Sequence, residues 1–71
     1  MDRRKLLKIL NNEANLKGFE LRKVREGGNH TIYEIGAIRV PIPRHRELNR
    51  NLVLQLVKEL EPILGKEWIN K

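Results

Sequence analysis

The chain has 71 residues and no cysteine, which excludes disulfide staples and thiolate metal centres and leaves one small core to carry the fold. Lys and Arg number 15 against 9 Asp and Glu, giving a net charge of +6 and a pI near 10.2. Such a balance favours a polyanionic partner, because each phosphate neutralised releases counterions.

Two histidines do not make a metal cluster, so neither a metal nor a cofactor is expected. No apolar run reaches the roughly 20 residues a bilayer-spanning helix needs. The opening "MDRRKLLKILNNE" lacks the apolar stretch and small-residue cleavage site of a secretory signal, so the chain reads as cytoplasmic with no membrane partner.

Asp2 is suited to cap a helix from about Arg3 to Lys17, whose apolar positions Leu6, Ile9, Leu10 and Ala14 recur at steps of three and four. Gly18 supplies the left-handed residue that ends it. Asn11, Asn12, Glu13 and Asn15 form its polar side, which argues against a helix lying on a membrane.

Phe19 to Arg25 has strand-compatible residues and ends at Gly27-Gly28, a pair that tolerates positive φ and predicts a two-residue hairpin loop. Two further strands, Asn29 to Ile35 and Ile38 to Ile42, are separated by Gly36-Ala37, glycine first, the type II′ pattern.

That second loop fixes a register in which Ile35 faces Ile38, Tyr33 faces Val40 and Thr31 faces Ile42 on the side toward the helices. The other face pairs Glu34 with Arg39 and Ile32 with Pro41. One step further, His30 lies on the open face opposite Pro43, beside Arg44 and His45, although the two histidines are 15 positions apart. With Gly27-Gly28 as the first loop, Arg25 faces His30 from the other side. The same register puts Val24 inward and Leu21 outward, a conflict that predicts a β-bulge near Arg22 or Lys23.

Pro41 and Pro43 donate no ladder hydrogen bond, so the third strand is an edge that leaves the sheet at Pro43. Asn49 caps a second helix with Leu52, Val53, Leu56, Val57 and Leu60 on its apolar side, interrupted at Pro62. Ile63, Leu64, Trp68 and Ile69 then suggest a short closing turn or helix, with Trp68 and Tyr33 in the core. The whole is one domain, residues 1–71, an α+β two-layer sandwich of order α-β-β-β-α with a short extra C-terminal helix.

An imidazole, with an unperturbed pKa near 6.5, is the side chain best suited to move protons at neutral pH. RNA offers a reaction that asks for little else: a base frees the 2′-hydroxyl to attack phosphorus, an acid protonates the departing 5′-oxygen, and cations stabilise the phosphorane. His30 with Arg25 and Arg44 nearby has those parts, and the glycines let a phosphate approach the backbone. His45 is either a further member of the group or an exit-loop residue that donates to backbone carbonyls.

The order helix, "GF", basic strand, "GGNHTIY", hairpin, "VPIPRHREL", apolar helix resembles the HicA family of toxins from prokaryotic toxin-antitoxin pairs, over about residues 3 to 60. The resemblance rests on glycine-x-histidine entering the second strand together with the proline-histidine exit from the third. It implies a double-stranded-RNA-binding-domain-like fold and a ribosome-independent, metal-independent endoribonuclease (an mRNA interferase) acting on single-stranded RNA or mRNA.

It also implies a HicB-type antitoxin that covers the active site, in a higher-order complex with a toxin that is monomeric when free. The family's catalytic histidine falls on His30, and Gly28 and Asn29 fill the two positions before it, where many members carry Gly-Ser. The expected site is therefore His30 as catalytic residue, with Arg25, Gly28, Asn29, Arg44 and His45 on the RNA phosphates. The stretch "EPILGKEWINK" departs from shorter members, and either packs or contacts the antitoxin.

Overall fold

A computed structural model describes residues 1–70. The element order is α1 (Arg3–Leu16), β1 (Leu21–Glu26), β2 (His30–Ile35), β3 (Ile38–Pro43), α2 (Arg50–Leu64) and a closing 3₁₀ turn (Trp68–Asn70). The three strands form one antiparallel sheet in the order β1-β2-β3, so the chain is a small α+β fold with the expected helix, three strands, helix order. No described helix is long and apolar enough to cross a membrane.

α1 starts where Asp2 Oδ1 accepts the N–H of Arg4 at 2.7 Å, satisfying one of the amides that a helix start leaves free. It ends at Gly18, φ 83°, with Phe19 N–H donating to Ala14 O at 2.8 Å and Gly18 N–H to Asn15 O at 3.0 Å. That double bond pattern is a Schellman cap, and it turns the chain back toward the sheet. Glu13, read from the sequence as part of the polar side, is instead 8% exposed. Among the described residues its Oε1 finds no hydrogen-bond donor, and the charge of Lys17 Nζ lies 3.9 Å away, one turn along the helix.

The β2-β3 hairpin has the predicted register throughout, from Ile35 opposite Ile38 to His30 opposite Pro43. Gly36 sits at φ 59° while Ala37 is not in the left-handed region, which matches the type II′ reading. A Cβ at Gly36 would also come within 3.0 Å of the Phe19 ring. Gly36→Ala is therefore expected to cost about 1–3 kcal/mol through backbone strain and the aromatic clash. Urea unfolding checks this, and an unchanged midpoint would remove the argument.

The β1-β2 hairpin differs from expectation. Glu26 faces Thr31 and Arg25 faces Ile32, so Arg25 does not face His30, and the loop is not Gly27-Gly28. Continuing that pairing puts Gly27 across from His30, and Gly27 N–H donates to His30 O at 2.9 Å. The turn is thus at Gly28-Asn29, one residue later than read. Neither Gly27 nor Gly28 has a left-handed φ, so positive φ was the wrong reason for these glycines.

The bulge predicted near Arg22 or Lys23 is present, at Val24 between Lys23 and Arg25. Its extra residue lets Leu21 face Ile35 and pack on the core, while Val24, expected inside, is 36% exposed.

The core lies between the sheet and the helices: Leu6, Leu10 and Ala14 from α1, Ile35, Val40 and Ile42 from the sheet, and Leu48, Leu56, Leu60, Leu64 and Trp68 behind them. Thr31, Ile35, Val40 and Ile42 are fully buried, as the inward face requires. α2 does not stop at Pro62, because Leu64 continues the buried row of Leu56 and Leu60 and is itself fully buried. Pro62 and Lys58 are both exposed, so the carbonyl four residues before the proline, which loses its donor, can bond water.

Candidate nucleic-acid interface

Two local effects bring His30 to the surface. Alternation along β2 buries Thr31 and so turns His30 to the open face, and the turn at Gly28-Asn29 sets it at the strand's first position. Its side chain is exposed and makes no hydrogen bond to a described residue. On the β3 side it faces Pro43, whereas on the β1 side it faces Gly27, which has no side chain to crowd the ring. Arg25, opposite Ile32, is a diagonal neighbour on the same face, within reach of a long side chain.

Arg44 is tied twice to the turn that precedes His30. Its main-chain N–H donates to Asn29 O at 3.0 Å, and its guanidinium Nη2 donates to Gly28 O. These contacts join the exit of β3 to the entry of β2 and leave most of the guanidinium's five donors free. A Cβ built on Gly28 meets nothing within 4 Å, so the fold itself does not demand glycine there. A bare backbone at that point leaves space in front of the turn.

His45 lies further along the exit loop, where it lines a groove of about 490 Å³ with Asp2, Arg3, Arg4, Arg44 and Arg46. Its ring donates to no carbonyl of the described residues, so the carbonyl-bonding alternative is not realised. That work falls to Arg3, whose Nε donates to Pro43 O at 2.8 Å and whose Nη2 donates to the buried Thr31 hydroxyl at 3.3 Å.

Arg3, Arg4 and Arg46 were not among the expected site residues. They arrive because residues Asp2 and Glu47 form an antiparallel bridge and Arg3 N–H donates to Arg46 O at 2.9 Å, which brings the start of α1 against the exit loop. The sequence signal was only that basic residues bracket "GGNH".

Asp2 is the one carboxylate among the described residues that line the groove. The N–H of Arg4 bonded to Oδ1 holds its carboxyl below the usual carboxylate range; slight desolvation opposes this, and the Lys5 N–H and the Arg4 and Arg46 charges reinforce it. A carboxyl lowered in the folded state contributes stability above its unfolded pKa and loses it as pH falls through the folded value. Asp2→Asn keeps a cap but not the charge, so the parent's stability advantage over it should shrink from about pH 5 downward. Urea midpoints of both chains across that range test this; a constant difference would contradict it.

Elsewhere on the open face Glu34 is held between Arg22 Nη1 at 3.1 Å and Arg39 Nε at 3.0 Å, so these cations are already partnered. The groups left to meet an anion are Arg25 and Arg44 beside His30, and the groove beyond Arg44. Comparison with models of known protein families, with curated proteins and with solved structures found no match to this chain.

Proposed function

We propose that the chain is the toxin of a toxin-antitoxin pair: a metal-independent, ribosome-independent endoribonuclease of HicA type that cleaves mRNA in the cytoplasm on a double-stranded-RNA-binding-domain-like fold. The observation that carries this reading is the exposed His30 ring at the mouth of β2, bonded to no described residue and flanked by a bare glycine turn and by Arg44 anchored to that turn. His30 serves as general acid or base.

In the step proposed, the 2′-oxygen loses its proton and bonds to phosphorus, and the P–O5′ bond breaks as the 5′-oxygen gains a proton. The products are a 2′,3′-cyclic phosphate and a 5′-hydroxyl, with no external oxidant, reductant or water. Arg25 and Arg44 stabilise the charge that develops on the phosphorane oxygens, and Gly28 and Asn29 let the phosphate approach the turn. A HicB-type antitoxin neutralises the chain by covering this face.

A second reading is favoured by the net charge of +6 and the arginine-lined groove: an RNA-binding module without chemistry. Incubating the purified chain with a long single-stranded RNA in excess chelator separates the two. Fragments with cyclic phosphate and 5′-hydroxyl ends support the nuclease. Intact but retarded RNA would replace it with the binding module.

A further inference from the structure

The groove beyond Arg44 is separate from the His30 ring and shares one wall with it. Its lining comes from two stretches far apart in sequence, the first turn of α1 and the segment that leaves β3, and contains four guanidinium groups against one carboxylate. Gathering four like charges is unfavourable in an empty site unless solvent screens them, and an anion relieves it.

The cations are also available. Arg4 is 82% exposed and its charge contact is Asp2 Oδ1 at 3.7 Å. Arg46 is exposed, with its main chain fixed by Arg3 N–H. Arg3 has spent Nε and Nη2 on Pro43 O and the Thr31 hydroxyl, which sets its planar fork as a fixed part of the wall. Asp2 Oδ1 accepts the Arg4 and Lys5 amides. The His45 imidazole is the only ring among the described lining residues and no aliphatic residue lines the groove, so charge dominates what it offers a ligand.

We propose that this groove is a second phosphate subsite, which holds the phosphodiester next to the one presented to His30. The inference rests on the reading of the chain as one that binds single-stranded RNA. Arg44 is the link: its guanidinium reaches the Gly28 carbonyl in the His30 turn while its side chain walls the groove, so one strand passes both. Contact there is to the backbone, and it adds affinity and sets a minimum substrate length without reading sequence.

The test measures binding of fluorescein-labelled oligouridylates across a series of KCl concentrations, with His30→Ala in every chain so that the RNA stays intact. Arg4→Gln with Arg46→Gln is compared with Lys58→Gln with Lys66→Gln, a pair of exposed lysines on and just after α2 that removes the same charge elsewhere. On a tetranucleotide the arginine pair should make the slope of log K against log salt shallower by about 0.7, the contribution of one neutralised phosphate on a single strand. The lysine pair should leave it unchanged. On a dinucleotide, which has a single bridging phosphate, the two pairs should behave alike.

Equal slopes for both pairs on the tetranucleotide would overturn the subsite. If that happens while the chain with His30 intact still cleaves RNA in chelator, the nuclease reading survives alone. A shallower slope with no cleavage sinks the nuclease reading and leaves the subsite standing. Absence of any salt-dependent RNA affinity in the parent overturns both.

Discussion

His30→Ala should reduce RNA cleavage by about 10²–10⁴-fold, the usual contribution of one general acid or base, while leaving the fold and RNA affinity almost unchanged. The ring is exposed and bonds to no described residue, so its removal opens no cavity and orphans no partner. A surface change of this kind shifts stability by no more than about 0.5 kcal/mol. The check is a cleavage time course beside urea unfolding and oligonucleotide binding of the same two proteins.

Cleavage by the mutant at the parent's rate would mean that another group moves the proton or that the activity is a contaminant's. A mutant that has lost binding along with cleavage would make His30 a contact residue. Gly28→Ala is a useful companion, since a Cβ there meets nothing within 4 Å and any lost activity must come from the substrate's approach.

The largest expected loss of stability is at Trp68. The side chain is fully buried against α1 and α2, and its Nε1–H donates to Val57 O at 3.1 Å. Truncation to alanine removes the largest buried side chain in the protein and should cost about 3–5 kcal/mol. A domain of this size has about 4–10 kcal/mol in total, so Trp68→Ala should lose about a third or more of it and melt far below the parent.

Trp68→Phe keeps most of the volume and loses the hydrogen bond, and should cost less. Circular dichroism is the right signal because Trp68 is the only tryptophan. A Trp68→Ala chain that melts within a few degrees of the parent would show that the C-terminal segment is dispensable to the fold. The stretch that departs from the HicA pattern would then be free to serve a partner, whereas the burial of Trp68 gives it a packing role.

Legibility followed the range of the interactions. Gly36-Ala37 demands one turn geometry, and that turn alone carries the β2-β3 register down to His30 and Pro43. Gly27-Gly28-Asn29 offers three permissive residues, so two adjacent two-residue turns were open to it. The choice of Gly28-Asn29 goes with the bulge at Val24: together they bring Leu21 to Ile35 and keep Thr31 and Ile35 inward.

Pro62 shows the same competition. Local propensity stops a helix there at a cost of about 3 kcal/mol, yet the burial of Leu64 and Trp68, each worth about 1.5–3 kcal/mol, lies beyond it.

By itself the sequence determined the element order, the N-caps of both helices, the glycine end of α1, the β2-β3 register and the exposure of His30, because each depends on contacts within a few residues. Only the tertiary structure decided that Gly27 rather than Arg25 lies across from His30, and that Glu13 is buried. It also decided that Arg3, Arg4 and Arg46 meet Arg44 and His45 around one groove. That meeting needs the start of α1 to pair with the loop after β3, more than 40 residues away, through the Asp2-Glu47 bridge and the Arg3 bonds to Pro43 and Arg46. Periodicity and turn chemistry do not report pairings of that range, which are fixed when both helices pack on the same face of the sheet.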